Sequence, residues 1–466
     1  MSIISRIAAF AIPIAVYCII FYALPCPNLP IKSWQLFAIF SATITALITK
    51  PIPIGSIALV ILTVVTSAKI IPIQESLNGF ASPVIWLILI VCFIARSIIR
   101  VGLSNRIAYS FMRVFGRSRI GLGYSIILTE TLISPFVLSP TARAGGIIIP
   151  VYNSMAKFVP NEKDSLLLKN FLAQVYVQAT CITGALFLTG TSGNPLIHKI
   201  ALEQGISISW LFWSLAASVP AIASLMLLPY LVKRYFPEEL TEKIDFKKLA
   251  KDKLKELGPI KNNEWIVIFT LIGILVLWVM GAKYGISQIS APLMGLSILL
   301  VTKILSFDEI LEEKEAWNIF VWFSVIVMLS QNLQSCGVIT HFSEILKEFI
   351  PNKNWYSGLF SITLVYFYSH YLFAGALSHI SSMYSIFLAL ALGVGAPPVL
   401  SALVLAFSSS LFMAITHYSG ASTALIFSNS SIDISKWWKI GFNISGINLA
   451  IWSTIGVAWW KFLGLW

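Results

Sequence analysis

Residues 138–150 read LSPTARAGGIIIP, and the long apolar runs on both sides make this stretch decisive. Pro140 cannot donate a helix hydrogen bond, Gly145-Gly146 loosens the backbone, and Arg143 is a permanent cation. The chain around it has 466 residues, 57% hydrophobic and only 11% charged, against about 25% charged in soluble globular domains. Apolar windows of about 20 residues recur, the length that crosses a bilayer core of about 30 Å. In lipid the backbone must satisfy its own hydrogen bonds, so the composition implies an all-α polytopic membrane protein. A β-barrel needs alternating segments of about ten residues, and the sequence lacks them. A broken, charged turn in such a chain is tolerated only where protein or a water-filled cavity receives its free backbone groups.

Working outward, the apolar runs predict spans at 5–24, 33–49, 54–70, 83–99, 169–189, 207–232, 265–281, 286–302, 317–335, 397–418 and 437–460. Two interrupted pairs, 120–137 with 142–156 and 356–373 with 378–394, predict re-entrant hairpins. That makes about 11 transmembrane helices. The first apolar run is long and lacks a small-residue cleavage site, so it reads as a span and not as a leader. The net charge of +12 sits mainly in the loops, which points to positive-inside topology and away from nucleic acid. Arg100, Arg106, Arg113, Arg117 and Arg119 mark 100–119 as cytoplasmic, and 157–169 and 233–264 follow it. The loops 25–32, 71–82 and 195–206 then face outward, with the N-terminus cytoplasmic and the C-terminus external. The five cysteines show no metal spacing and read as small hydrophobes. SKWWKI (435–440) and AWWKFLGLW (458–466) read as interface anchors.

The second half repeats the first. Trp86 pairs with Trp322 at an offset of 236, and Gly102 with Gly337 at 235. The expected organisation is a first transmembrane helix in 1–32, one repeat in 33–232, a cytoplasmic linker in 233–264 and a second repeat in 265–466. Five spans plus one hairpin per half invert the second copy in the membrane. Inverted repeats built on interrupted helices are a mark of secondary transporters, whose sites lie where the breaks meet. Ser139 to Thr141 map onto Gly375-Ala376-Leu377, and Arg143 onto His379. LTGTSGNPLI (188–197) and THYSGASTA (416–424) form the second pair of breaks.

Half-helix N-termini aim positive charge at an anion, and freed carbonyls hold a cation such as Na⁺. Ser139, Thr141, Thr191, Ser192, Asn194, Ser419 and the backbone at Gly375 and Gly420 are thus candidate substrate contacts, with His379 beside them. Ser139, Gly190 and Asn194 are candidate sodium ligands. Two partners are open to Arg143. Its planar fork matches a substrate carboxylate, or it pairs with Glu130.

SPTARAGGIIIP, TGTSGNPLI, ALSHISSMYSIFLALALGVGAPP, THYSGASTALIF and the ending from Trp437 resemble the divalent anion–sodium symporter family. The 2-oxoglutarate/malate translocators and citrate/succinate exchangers are the branch resembled, over nearly the whole chain. The resemblance implies an inner-membrane homodimer, an elevator-type movement, di- or tricarboxylate substrates and a second sodium site near Ala374 and Ser419. The family's Ser-Asn-Thr hairpin tips fall on Ser139-Pro140-Thr141, which lacks the Asn, and on Gly375-Ala376-Leu377, which matches none. The other breaks fall on Thr191-Ser192-Gly193 with Asn194, and on Gly420-Ala421-Ser422 with the Thr at Thr423. The implied function is dicarboxylate exchange, and the alternative is sodium-coupled uptake of di- or tricarboxylates or sulfate. HExxH, GxSxG, paired intramembrane carboxylates and a nucleotide loop are all missing from the sequence, so an enzyme is not expected.

Overall fold

The computed structural model describes residues 3–24, 26, 28–49, 51–241, 244–338, 341, 354–373 and 375–466. It is helical throughout, with no β-strand among the described residues. Among the described residues, six helices are long and apolar enough to cross a membrane: Pro83–Arg100, Trp210–Lys233, Asn262–Met280, Lys314–Leu333, Ala376–Gly393 and Ile434–Phe462. Five shorter apolar helices accompany them, among them Ile54–Ser67, Ser290–Val301 and Pro398–Ala414. Ala374, named for the second sodium site, lies outside the described residues.

Helix ends follow local chemistry. The first hairpin enters on Arg119–Ile133, capped by Ser118, whose hydroxyl accepts from Gly121 N. It stops before Pro135, and Ser139 caps the next turn with Pro140 at its first position. The chain then passes Arg143 and a π-turn, Ala144–Ile148, before Ile149–Lys157 carries it out. Helix-terminating left-handed positions recur between the halves. Gly102 (φ 78°) pairs with Gly337 (φ 75°), and Lys69 (φ 52°) with Lys303 (φ 58°), an offset of 235 and 234.

Two compact units emerge, each drawing on both halves of the sequence. One comprises Met1–Leu89, Pro195–Ile208 and Leu311–Leu405. In it Ile54–Ser67 and the 3-10 turn Asn78–Ala81 both pack on Lys314–Ser335, the turn so closely at Gly79 that a Cβ there would overlap the Ser324 carbonyl. The other comprises Ile90–Asn194, Ser209–Ile310 and Ala406–Trp466. Glu162–Leu186 lies at its centre, buried along the apolar run and packed on Arg119–Ile133 and Trp210–Lys233.

Two expectations change. Trp437 and Trp460 are buried at 0% and 3% exposure, not interface anchors. Trp460 donates to Ala216 O at 2.8 Å and joins Phe407 in an aromatic cluster. The segment 195–206 is largely the helix Gly193–Glu203, not a loop. The linker carries an amphipathic helix, Phe246–Leu257, which packs on Leu103–Phe115. Arg106 pins it: Nε reaches Glu264 Oε1 at 2.6 Å, Nη2 reaches Oε2 at 3.0 Å, and Nη1 reaches Gly258 O at 2.9 Å. Glu264 is 2% exposed, so this bidentate pair is worth more than a surface ion pair. Arg106→Ala is expected to free the helix, so that trypsin cuts at Lys248 and Lys251 several times faster while the spanning core stays intact.

Candidate functional site

Arg143 and Glu130 organise the site, at 0% and 1% exposure. Arg143 Nε donates to Glu130 Oε1 at 2.8 Å. Its Nη1 donates to two backbone carbonyls, Val137 O in the hairpin break and Gly190 O in the second break at 3.0 Å. Its Nη2 donates to Thr180 Oγ1 at 3.0 Å. Thr180 and Thr183, three apart on one face of Glu162–Leu186, donate to Glu130 Oε1 at 2.7 and 3.3 Å. Glu130 Oε2 is buried with no hydrogen-bond partner among the described residues. The fork that the sequence offered to a substrate carboxylate thus engages Glu130, and four of its five N–H groups are committed within the protein.

The break after Leu186 is held by side chains standing in for lost helix bonds. Asn194 Nδ2 donates to Gly184 O at 2.7 Å and Phe187 O at 2.9 Å, and its Oδ1 accepts from Ser410 Oγ at 3.2 Å. Thr189 Oγ1 donates to Pro135 O at 2.7 Å, tying this break to the first. Gly190 has no alternative: a Cβ there would stand within 2.9 Å of three carbonyl oxygens, of Thr183, Gly184 and Phe187. Of the sodium ligands expected here, the Gly190 carbonyl serves Arg143 and the Asn194 amide serves the helix end. Ser139 Oγ accepts from Ala142 N at 3.2 Å.

The break after Leu411 lies in the same unit. Its outgoing helix, Ala421–Ser428, packs against Pro140–Arg143, the π-turn and Glu162–Leu186. Ser419 Oγ accepts from Thr416 N at 2.9 Å and bonds the Thr416 hydroxyl at 2.7 Å, while Thr423 Oγ1 donates to Met413 O at 2.8 Å. Ser422 Oγ, at the start of that helix, is buried and has no partner among the described residues. Gly441 completes the arrangement, since a Cβ there would come within 2.5 Å of Ile415 O. This unit therefore brings together Ser139, Thr141, Arg143, Thr191, Ser192, Asn194, Ser419 and Gly420.

Gly375 and His379 belong to the other unit. Gly375 has φ 116°, which requires glycine and accounts for the missing serine. His379 is fully buried, with Ser369 Oγ 2.9 Å from its Nε2 and the Tyr366 and Phe373 rings at 4.7 Å. His370 lies beside it, ring centroids 5.2 Å apart.

The chain matches the family described as the sodium:sulfate symporter transmembrane region over residues 4–466. It belongs to that family. A Bacillus subtilis protein named "Putative malate transporter YflS" is 40% identical over 99% of this chain and 97% of its own length. The chloroplast dicarboxylate transporter 1 of Arabidopsis thaliana is 38% identical, over 93% of this chain and 79% of its own length. The Escherichia coli inner membrane protein YbhI is 30% identical over 97% of each chain. Among solved structures, Neisseria gonorrhoeae MtrF aligns over 85% of each chain with a TM-score of 0.59 at 14% identity. The Alcanivorax borkumensis YdaH transporter aligns over 83% of this chain and 86% of its own with a TM-score of 0.54 at 12% identity. These two show a shared fold. The protein is a polytopic membrane transporter, not an enzyme.

Thr180, Thr183, Ser410 and Gly441 were not singled out by sequence. The Thr180–Thr183 spacing, on the helix that leads into a break, is the one signal that could have marked them. Breaking a buried ion pair by removing one partner costs about 3–5 kcal/mol. Arg143→Gln is accordingly expected to lower the unfolding temperature in detergent sharply, and Glu130→Gln less, because Gln keeps an acceptor for the two threonines. The double variant should be more stable than Arg143→Gln alone. Parent-like melting of Arg143→Gln would contradict the assignment.

Proposed function

We propose that the protein exchanges dicarboxylates, of the 2-oxoglutarate, malate and succinate class, across an inner membrane without requiring sodium. The observation that carries this is the placement of the Arg143 guanidinium on Val137 O and Gly190 O, freed carbonyls of two different breaks. Such carbonyls are where a transporter of this architecture would seat a coupling cation. Here a cation already occupies them, fixed to the chain and present at every stage of transport. A carrier whose cation cannot dissociate gains nothing from an ion gradient at that position and has reason to move only when loaded. The names of the relatives favour the substrate class: "Putative malate transporter YflS" and a chloroplast dicarboxylate transporter.

On this reading the substrate carboxylates bind the polar rim of the breaks. Thr141 and Ser192 are partly exposed, and the Ser422 hydroxyl is unspent. The backbone N–H groups that begin Ala421–Ser428 add partial positive charge. Arg143 acts at one remove, holding Ser139–Thr141 and Gly190–Asn194 in place and adding its last N–H. We extend the proposal to a homodimer working by an elevator-type movement, as the family resemblance implies.

The alternative, sodium-coupled uptake, draws on the family's description as sodium:sulfate symporters. Proteoliposomes separate the two. Labelled 2-oxoglutarate is expected to enter vesicles loaded with malate at equal rates in sodium and in potassium, and to enter empty vesicles poorly. Rapid entry into empty vesicles driven by an inward sodium gradient would overturn exchange in favour of symport.

A further inference from the structure

Beyond transport itself, the structure assigns an anionic-lipid platform to the antiparallel pair Leu103–Phe115 and Phe246–Leu257. The pairing is antiparallel because Gly116, after the first helix, meets Lys247 N at the start of the second, whereas Arg106 bonds Gly258 O at its end. Both helices are strongly amphipathic, with buried faces at Leu103, Ala108 and Met112 and at Phe246, Leu249 and Ala250. Their chain connections fix where they lie. Leu103–Phe115 begins three residues after Pro83–Arg100 and ends four before Arg119–Ile133, so both of its ends stand at one membrane surface. Phe246–Leu257 ends five residues before Asn262–Met280, a spanning helix.

The outer face of this platform is cationic. Lys248, Lys251 and Lys255, at i, i+3 and i+7, share one exposed face of the second helix. Arg113 and Arg117 are exposed on and just beyond the first. The acidic residues of the second helix only partly offset them, since Glu256 is already paired with Lys253 at 2.8 Å. The same region exposes apolar side chains: Val114, next to Arg113 on the first helix, at 60% exposure and Trp265, at the foot of the spanning helix, at 43%. Cations interleaved with exposed aliphatic and indole groups, on helices held in the interface plane, match a leaflet of anionic lipid, whose headgroups take the charges and whose upper acyl region takes Val114 and Trp265. A soluble phosphate or an acidic polypeptide would use the charges and leave the apolar groups in water.

The test uses the purified full-length protein in mild detergent, with thermal unfolding followed on addition of phosphatidylglycerol, phosphatidylcholine, inorganic phosphate or polyglutamate. Phosphatidylglycerol is expected to stabilise the protein saturably, and the other three not to. Lys248→Gln/Lys251→Gln/Lys255→Gln should weaken that response at least about tenfold in apparent affinity, at about 1 kcal/mol per basic residue and 1.4 kcal/mol per decade. The Lys→Arg triple variant should keep it, which separates lost charge from damaged folding. An equal phosphatidylglycerol response in the Gln variant, or an equal response of the parent to phosphate or polyglutamate, would overturn the platform.

Discussion

The site depends on one buried ion pair. Glu130 and Arg143 sit 13 residues apart in sequence, one on Arg119–Ile133 and the other in the broken turn that follows it. A charge at such depth is costly alone, and tolerable only when neutralised and hydrogen-bonded. The protein meets both conditions at once. Glu130 Oε1 collects Arg143, Thr180 and Thr183, and Arg143 spends two further donors on the backbone and one on the Thr180 hydroxyl. Because those carbonyls belong to separate breaks, the pair binds the hairpin tip to the loop after Leu186.

The rest of the site follows from the same accounting. Each interrupted helix leaves carbonyls that lipid cannot satisfy. Asn194 covers two of them, Thr189 one, Thr423 one and Arg143 two. Gly190 and Gly441 are required because the backbone passes too close for a side chain. Among the buried groups left without a partner are Glu130 Oε2 and, at the break after Leu411, the Ser422 hydroxyl that begins its helix. A transporter needs such a residue of unmet hydrogen bonding, since a site satisfied in full has nothing left for its substrate.

The helices were legible because hydropathy and length are one-dimensional signals. The predicted pair 120–137 and 142–156 corresponds to Arg119–Ile133 and Ile149–Lys157 with the broken turn between them. The breaks were legible because Pro135, Pro140, Gly190 and Gly420 interrupt apolar runs. Arg143 was conspicuous, but its partner was not decidable: a guanidinium fits a ligand carboxylate and a protein carboxylate equally well, and only the distance to Glu130 separates them. Trp437 and Trp460 misled for a related reason, since an amphipathic indole suits an interface and a core alike until its burial is known. Ser410 and Gly441 were invisible, because their roles arise from contacts across more than 200 and about 25 residues of sequence respectively.

The central claim is that Arg143 is the cation of these breaks and leaves no seat there for sodium. Equilibrium binding of radioactive ²²Na⁺ to the purified protein, read by scintillation proximity, addresses it directly. The parent protein is expected to show no saturable sodium binding, with or without dicarboxylate, while Arg143→Ser, which vacates the Val137 and Gly190 carbonyls beside an unpaired Glu130, should acquire it. Saturable, near-stoichiometric sodium binding by the parent protein would contradict the claim.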